Sequence, residues 1–277
     1  MAKLYVCATP IGNLEDVSLR LLRIFREVDL IACEDTRHTS KLLNHYQIKN
    51  RLISYHGHSE GSREDKLLDA LEQGKSIALV SDAGMPGISD PGAGLIGRAI
   101  EAHLEIEVVP GPSALIAALA LSGFDSSSFV FEGFLARRGG KRLAQLENLK
   151  EESRTIILYE APHRLLDTLS DIEKVMGGER QVAVARELTK KFEEVRRGTV
   201  SQVKAHFEET APRGEICLVI SGAGQKEIPS LDEVVEEIRD MVNQGMNKKE
   251  ALKLKARQYN IPKTQLYKHL VDQEKRP

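Results

Sequence analysis

The sequence predicts an α/β protein: two α/β domains with a ligand cleft between them, followed by a small helical C-terminal domain. Three observations carry this expectation. Short β-branched runs alternate with amphipathic stretches, the rhythm of βαβ units and largely parallel sheets. The runs fall into two sets, each sufficient for a sheet, and a basic segment with only helical patterns closes the 277-residue chain. That length is enough for two well-buried cores.

Leu4 to Thr9, Leu30 to Glu34, Leu52 to Tyr55, Ile77 to Ser81 and Ile106 to Val109 are the strands expected of the first domain, residues 1–115. After the first of them, Leu14 to Arg26 reads as a helix. Leu14, Val17, Leu21 and Ile24 form its buried stripe, Asn13 its cap, and Asp16 favours the N-terminal dipole. The second domain, residues 116–224, draws on Phe129 to Phe134, Thr155 to Tyr159, Val182 to Arg186 and Ile216 to Ile220, with Glu194 to Val200 as an antiparallel addition. A helix begins at Pro162, carries Leu165, Leu169, Ile172 and Met176 on one face, and stops at Gly177-Gly178. The junction between the domains falls near Ser113 to Phe124, and Gln225 to Ser230 reads as a polar linker.

Three short helices are expected in residues 230–277: Leu231 to Asn243, Lys248 to Tyr259 and Pro262 to Asp272. Asn247 and Glu250 are spaced as a capping box after the break at Gly245. The last two, basic and joined by a short turn, fit a helix-turn-helix-like unit as well as a plain structural bundle. Residues 246–277 carry a net charge of +6 against −8 for the remainder, an asymmetry that suits an anionic partner. Cys7, Cys33 and Cys217 each lie in an apolar run without metal or redox spacing, which suits buried free thiols in a reducing cytoplasm. Neither a leader nor a membrane span is visible, so a cytoplasmic protein without membrane contact is expected.

The chemistry concentrates in loops after strands. Ser81-Asp82-Ala83-Gly84-Met85-Pro86-Gly87-Ile88-Ser89-Asp90-Pro91-Gly92 follows an apolar strand with three glycines, two prolines and two aspartates. Such a loop turns sharply, admits a ligand close to its backbone and supplies acceptors for hydroxyl or ammonium donors. A plain surface turn uses the same residue types. A second loop of this kind, Val108-Val109-Pro110-Gly111-Pro112-Ser113-Ala114, changes the balance, because open α/β sheets bind ligands at the carboxyl ends of their strands. Neither loop carries a phosphate fingerprint, which disfavours nucleoside triphosphates and dinucleotides. No metal-ligand cluster, serine triad order or nucleophile elbow is present, which disfavours hydrolysis by metal or serine.

Ala32-Cys33-Glu34-Asp35-Thr36-Arg37-His38-Thr39 places more polar groups at a strand end than a helix cap requires. Phe131 to Arg142 combines aromatics with Arg137, Arg138, Lys141 and Arg142 around Gly139-Gly140, a loop able to grip a phosphate backbone. Tyr159 to Arg164 and Ala185 to Glu194 bring polar strand ends from the second domain.

Together, Thr9-Pro10-Ile11-Gly12-Asn13-Leu14, Cys33-Glu34-Asp35-Thr36-Arg37, the Ser81 to Gly92 loop, Pro110-Gly111-Pro112-Ser113, Tyr159-Glu160-Ala161-Pro162-His163-Arg164 and Arg186-Glu187-Leu188-Thr189-Lys190 resemble the bacterial 16S ribosomal RNA cytidine 2'-O-methyltransferases. These belong to the tetrapyrrole methylase superfamily of S-adenosylmethionine enzymes, and the likeness runs in order from about residue 4 to 222. It implies a homodimer, S-adenosylmethionine folded into the cleft between two domains, and 16S ribosomal RNA or the small subunit as substrate. It sets the cofactor against Pro10, Asp82, Ala83, Gly84, Ile88, Ser113, Ala114 and Tyr159. No metal is implied.

Methyl transfer from a sulfonium needs the ribose oxygen in line with the methyl carbon, and a base to accept the hydroxyl proton. Glu34, Asp35, Glu187 and Lys191 are the candidates. Arg37 and Arg186 are placed to orient phosphate; Arg137, Arg138, Lys141 and Arg142, with Lys253, Arg257 and Lys268 of the tail, are expected RNA contacts. Two other readings share parts of this pattern: a C-methyltransferase of tetrapyrrole precursors, and a ribosome-assembly factor that binds RNA without chemistry.

Overall fold

The computed structural model describes residues 2–56, 60–224, 231–259 and 261–274. Residues Met1–Gly222 form one compact unit and Ala223–Pro277 a second. The expected linker Gln225 to Ser230, and Lys275 and Arg276 of the basic tail, lie outside the described residues.

The first unit begins with a five-stranded parallel sheet, in the order β3-β2-β4-β1-β5. Its strands are β1 (Leu4–Cys7), β2 (Leu30–Cys33), β3 (Leu52–Ser54), β4 (Ile77–Val80) and β5 (Ile106–Val109). Strands β2 and β4 are wholly buried, as the apolar runs require of a sheet covered on both faces. Helices α1 (Leu19–Glu27), α2 (Thr36–His45), α3 (Glu60–Glu72) and α4 (Ala93–Glu101) connect them. Because every strand runs the same way, the loops that follow β1, β2, β4 and β5 open on one edge.

The expected helix from Leu14 is split. Asn13 accepts the Glu15 N–H and caps a single 3-10 turn, Leu14–Asp16; Val17 is extended, and Ser18 caps α1 by accepting from Leu21. Leu14 and Val17 still pack on the core that holds Leu21, Ile24 and Phe25.

Helix α5 (Ala114–Ser122) crosses to the second half, where Ala118 and Leu119 pack against Ile157, Ala183 and Val219. There the strands are β6 (Phe129–Phe134), β7 (Thr155–Glu160), β8 (Gln181–Arg186), β9 (Glu194–Thr199) and β10 (Ile216–Ile220), with helices α6 (Gly139–Leu149), α7 (Leu165–Met176) and α8 (Val200–Glu209). The order is β6-β7-β10-β8-β9. This sheet corrects the expectation of largely parallel pairing. Only β6 and β7 pair in parallel; β10 is antiparallel to both β7 and β8, and β9 is antiparallel to β8. The α7 crossover does make β7 and β8 run the same way, but β10 occupies the place between them.

Gly139 and Gly140 form the first turn of α6 rather than a flexible loop. In the second unit, α9 (Leu231–Asn243), α10 (Lys248–Gln258) and α11 (Lys263–Glu274) share a core of Val234, Val235, Ile238, Leu252, Leu266 and Leu270. Asn247 caps α10 through the Lys249 N–H. Among the described residues no helix is long and apolar enough to cross a membrane.

Candidate active site

A cleft of about 740 Å³ lies at the carboxyl edge of the parallel sheet and is closed on its other side by the second sheet. Its first wall is built by convergence. The loop after β1 joins the loop after β4 through two backbone bonds: Thr9 N–H donates to the Gly84 carbonyl at 2.9 Å and Gly84 N–H to the Thr9 carbonyl at 3.1 Å. The buried Thr9 hydroxyl donates to the Ser81 carbonyl at 3.1 Å. Gly84 has φ +78°, and a Cβ there would sit 3.6 Å from Ile11 and 3.7 Å from the Pro112 carbonyl oxygen. Three loops therefore meet at one residue whose conformation a side chain would strain.

Carboxylates dominate this wall. Asp82 accepts the Asp35 backbone N–H at 3.0 Å. Burial, then the charge of Asp82, pushes the Glu34 carboxyl up from its ordinary value. Burial, then the charge of Glu34, pushes Asp90 up to about 6. Three acidic groups in one partly dry space favour a cationic ligand, because a positive charge relieves both the desolvation and the mutual repulsion.

The opposite wall is aromatic. Tyr159 lies 5.0 Å from Phe131 edge to face and 5.7 Å from Phe134, and burial drives its hydroxyl up to about 12. Phe134 reaches the cleft because β6 carries a bulge between Phe131 and Gly133, which shifts the alternation by one residue.

Seven of the eight residues expected at the cofactor line this cleft: Asp82, Ala83, Gly84, Ile88, Ser113, Ala114 and Tyr159. Pro10 does not; its neighbour Ile11 does. Of the four candidate bases, only Glu34 lines it. Asp35 caps α2 and pairs with Arg37 at 2.7 Å, a contact that holds its carboxyl down at about 2. Glu187 accepts from Lys190 at 2.9 Å and from the Glu215 N–H at 3.1 Å, and the lysine lowers its pKa. Lys191 is exposed, 5.6 Å over the Phe192 ring. The strained β8 loop, with positive φ at Glu187 and Thr189, instead braces the first wall: Thr189 accepts the Asn13 N–H at 3.0 Å.

Arg142 corrects the expected RNA face. It is 7% exposed and donates to Asp171 on α7 at 2.6 Å, so it ties two helices together inside the protein. Arg186 is paired with Glu194. Arg37, Arg137, Arg138 and Lys141 are exposed, as are Lys253, Arg257 and Lys268 on the separate helical unit. Sequence reasoning did not single out Asp90, although it stands in the loop that drew attention first. All three cysteines are buried free thiols. Among the described residues no cluster of metal-ligating groups occurs.

A parallel sheet with a cleft at its carboxyl edge, joined to a mixed sheet through α5, is the architecture of one enzyme family. The tetrapyrrole (corrin/porphyrin) methylase model matches residues 3–204, and the chain belongs to that family. The fold is that of the uroporphyrin-III C-methyltransferase from Thermus thermophilus, with a TM-score of 0.58 at 19% identity over 80% of this chain and 94% of that one. Within the family the chain is similar to proteins named ribosomal RNA small subunit methyltransferase I. The relative from Synechocystis sp. is 49% identical, covering 96% of both chains; that from Thermotoga maritima is 50% identical over 222 residues, covering 80% of this chain and 99% of its own.

Proposed function

We propose that this protein transfers the methyl group of S-adenosylmethionine to the 2'-hydroxyl of a cytidine ribose in 16S ribosomal RNA. The observation that carries the reading is the near full-length similarity to methyltransferases named for the small-subunit RNA. The cleft supports it: acidic on the wall where a sulfonium and an ammonium need acceptors, aromatic on the other, and free of a phosphate loop.

S-adenosylmethionine supplies an activated methyl group, and the chain's part is to hold the acceptor oxygen in line and take its proton. Asp82, Ala83, Gly84, Ile88, Ser113, Ala114 and Tyr159 are the proposed cofactor contacts, with Pro10 acting through the loop it opens. Glu34 is the proposed base, since it alone of the four candidates lines the cleft, and Asp90 is its partner in charge. Arg37, Arg137, Arg138 and Lys141 are proposed RNA contacts, with Lys253, Arg257 and Lys268 as an accessory set. A relative of 222 matched residues carries the same name, which supports assigning the reaction to the first unit.

The division into residues 1–115, 116–224 and 230–277 belongs to this reading, supported by the packing of α5 on the second sheet. So does a homodimer. Leu19 is 86% exposed on α1 and Val108 51% on the edge strand β5, and Arg20, next to Leu19, donates to the Val108 carbonyl at 2.6 Å; exposed apolar side chains at a sheet edge suit an interface between copies. The buried thiols support a cytoplasmic location.

The test is incubation with methyl-labelled S-adenosylmethionine and small ribosomal subunits from a strain lacking this gene, followed by nuclease digestion and mass spectrometry. Label on one cytidine ribose is the expected result. Label on a base, or on no RNA despite cofactor binding, overturns the assignment.

A further inference from the structure

A second cavity, of about 380 Å³, lies along the free edge of β3. Its floor is aliphatic and buried: Leu30, Leu67 and Ala70. Arg51, Arg63, Lys66 and Lys75 stand around that floor, and among the described residues no acidic one lines it. None of the four cations forms an ion pair with a carboxylate among the described residues, whereas Lys3, Arg23, Arg37 and Arg98 on the same half each do.

The sequence of α3 accounts for the segregation. Arg63, Lys66, Leu67 and Ala70 follow helical spacing and face β3. Glu64 and Asp65 fall on another face, where Arg98 of α4 consumes their charge at 3.3 and 2.6 Å. Carboxylates that would otherwise neutralise the groove are thus held away from it. Like charges gathered without counter-charges repel one another, an arrangement stabilised when an anion enters.

The groove also leads to the cleft. Arg51 precedes β3 and Ser54 ends it, a span of about 10 Å for an extended strand. At the Ser54 end, Arg63 donates to the Ser54 carbonyl, and the Ser54 hydroxyl donates to the Glu34 carbonyl at 3.5 Å. Glu34 in turn lines the cleft.

We infer that this groove binds the phosphodiester backbone of the RNA substrate, on the strand that continues from the nucleotide held in the cleft. The inference rests on the RNA reading given above and adds a site on the parallel sheet, separate from Arg137 and Arg138, which follow β6 of the second sheet. The four cations neutralise phosphates, and the aliphatic floor accepts the sugar-phosphate chain without competing for those charges.

The test removes three exposed cations, Arg51→Ala/Lys66→Ala/Lys75→Ala, and spares Arg63 because it holds the Ser54 carbonyl. Binding of an end-labelled single-stranded oligoribonucleotide and of small subunits lacking the modification is followed by anisotropy and filter retention across a salt series. S-adenosylmethionine affinity, measured by calorimetry, reports that the variant is folded. The expected result is RNA affinity reduced by about tenfold at moderate salt, and a log–log salt slope shallower by roughly two, with cofactor affinity retained. Unchanged RNA affinity and slope overturn the inference. Binding is read apart from methyl transfer, so a wild-type protein that binds RNA through the groove but leaves it unmethylated would overturn the proposed reaction and keep the groove.

Discussion

Ser89 and Gly133 meet across the cleft: a Cβ placed on Gly133 would lie 3.1 Å from the Ser89 hydroxyl oxygen, and both residues have positive φ, +62° in each case. One belongs to the loop after β4 and the other to the bulge of β6, so the two walls touch where Ser89 carries backbone strain and glycine spares position 133 the same strain. Gly133→Ala adds a methyl group to that contact and strains the backbone by roughly 1 kcal/mol. S-adenosylmethionine affinity should fall several-fold by calorimetry, while Gly139→Ala, where nothing lies within 4 Å, should leave it unchanged.

Asp90 gives a stability signature with a definite sign. Its folded pKa, about 6, stands above the ordinary 3.8, so the native state holds the proton longer than the unfolded chain. Stability therefore falls as pH rises between those two values and stays lowered above them. Asp90→Asn should melt higher than wild type at pH 7.5, and the difference should close by pH 4. An equal melting shift at both pH values would show that the side chain acts through packing instead.

The same carboxylates should release protons when a cation binds beside them. Calorimetry of S-adenosylmethionine binding near pH 6, in buffers of different ionisation enthalpy, should show net proton release, because the sulfonium lowers the raised pKa values of Asp90 and Glu34. Heats that do not depend on the buffer would place the charge away from these groups.

Arg142 and Arg137 separate burial from exposure. Arg142→Ala removes a buried guanidinium that packs in the α6 stripe and leaves the half-buried Asp171 without its partner, so the melting temperature should drop by several degrees. Arg137→Ala/Arg138→Ala should leave melting unchanged and weaken RNA binding with a shallower salt slope.

Glu34 and Glu187 divide in the same manner. Loss of a general base costs roughly 10²- to 10⁴-fold, so Glu34→Gln should lower kcat by that order without lowering the melting temperature. Glu187→Gln removes the Lys190 pairing that braces the β8 loop, and its principal effect should be lower thermal stability. A thermal scan beside single-turnover methylation distinguishes the two.

Much of the cleft was legible in the sequence because its signals are local. Gly84 and the Ser81–Gly92 loop announce a turn at a strand end, and strand ends are where open sheets bind. Direction is not local: the apolar run Ile216–Ile220 has the same pattern whether parallel or antiparallel, so its antiparallel place between β7 and β8 was invisible. Arg142 misled because its charge was read before its spacing. With Leu146 and Leu149 it completes an inward stripe of α6, and Gly139-Gly140 concealed where that helix starts. Glu187 and Lys191 looked catalytic because polar groups at strand ends do so often; only the three-dimensional course of the β8 loop separates bracing from lining.

The insertion of β10 sets an order of assembly. The first sheet is complete in sequence by Val109, whereas the second lacks its middle strand until the chain reaches Ile220. A nascent chain that has emerged only as far as β9 would hold β7 and β8 with their facing edges unpaired, a gap that invites strands from neighbouring chains. Residues 216–220 therefore act as a keystone: shortening the protein after residue 222 leaves both sheets whole, and stopping it before 216 divides the second into two fragments.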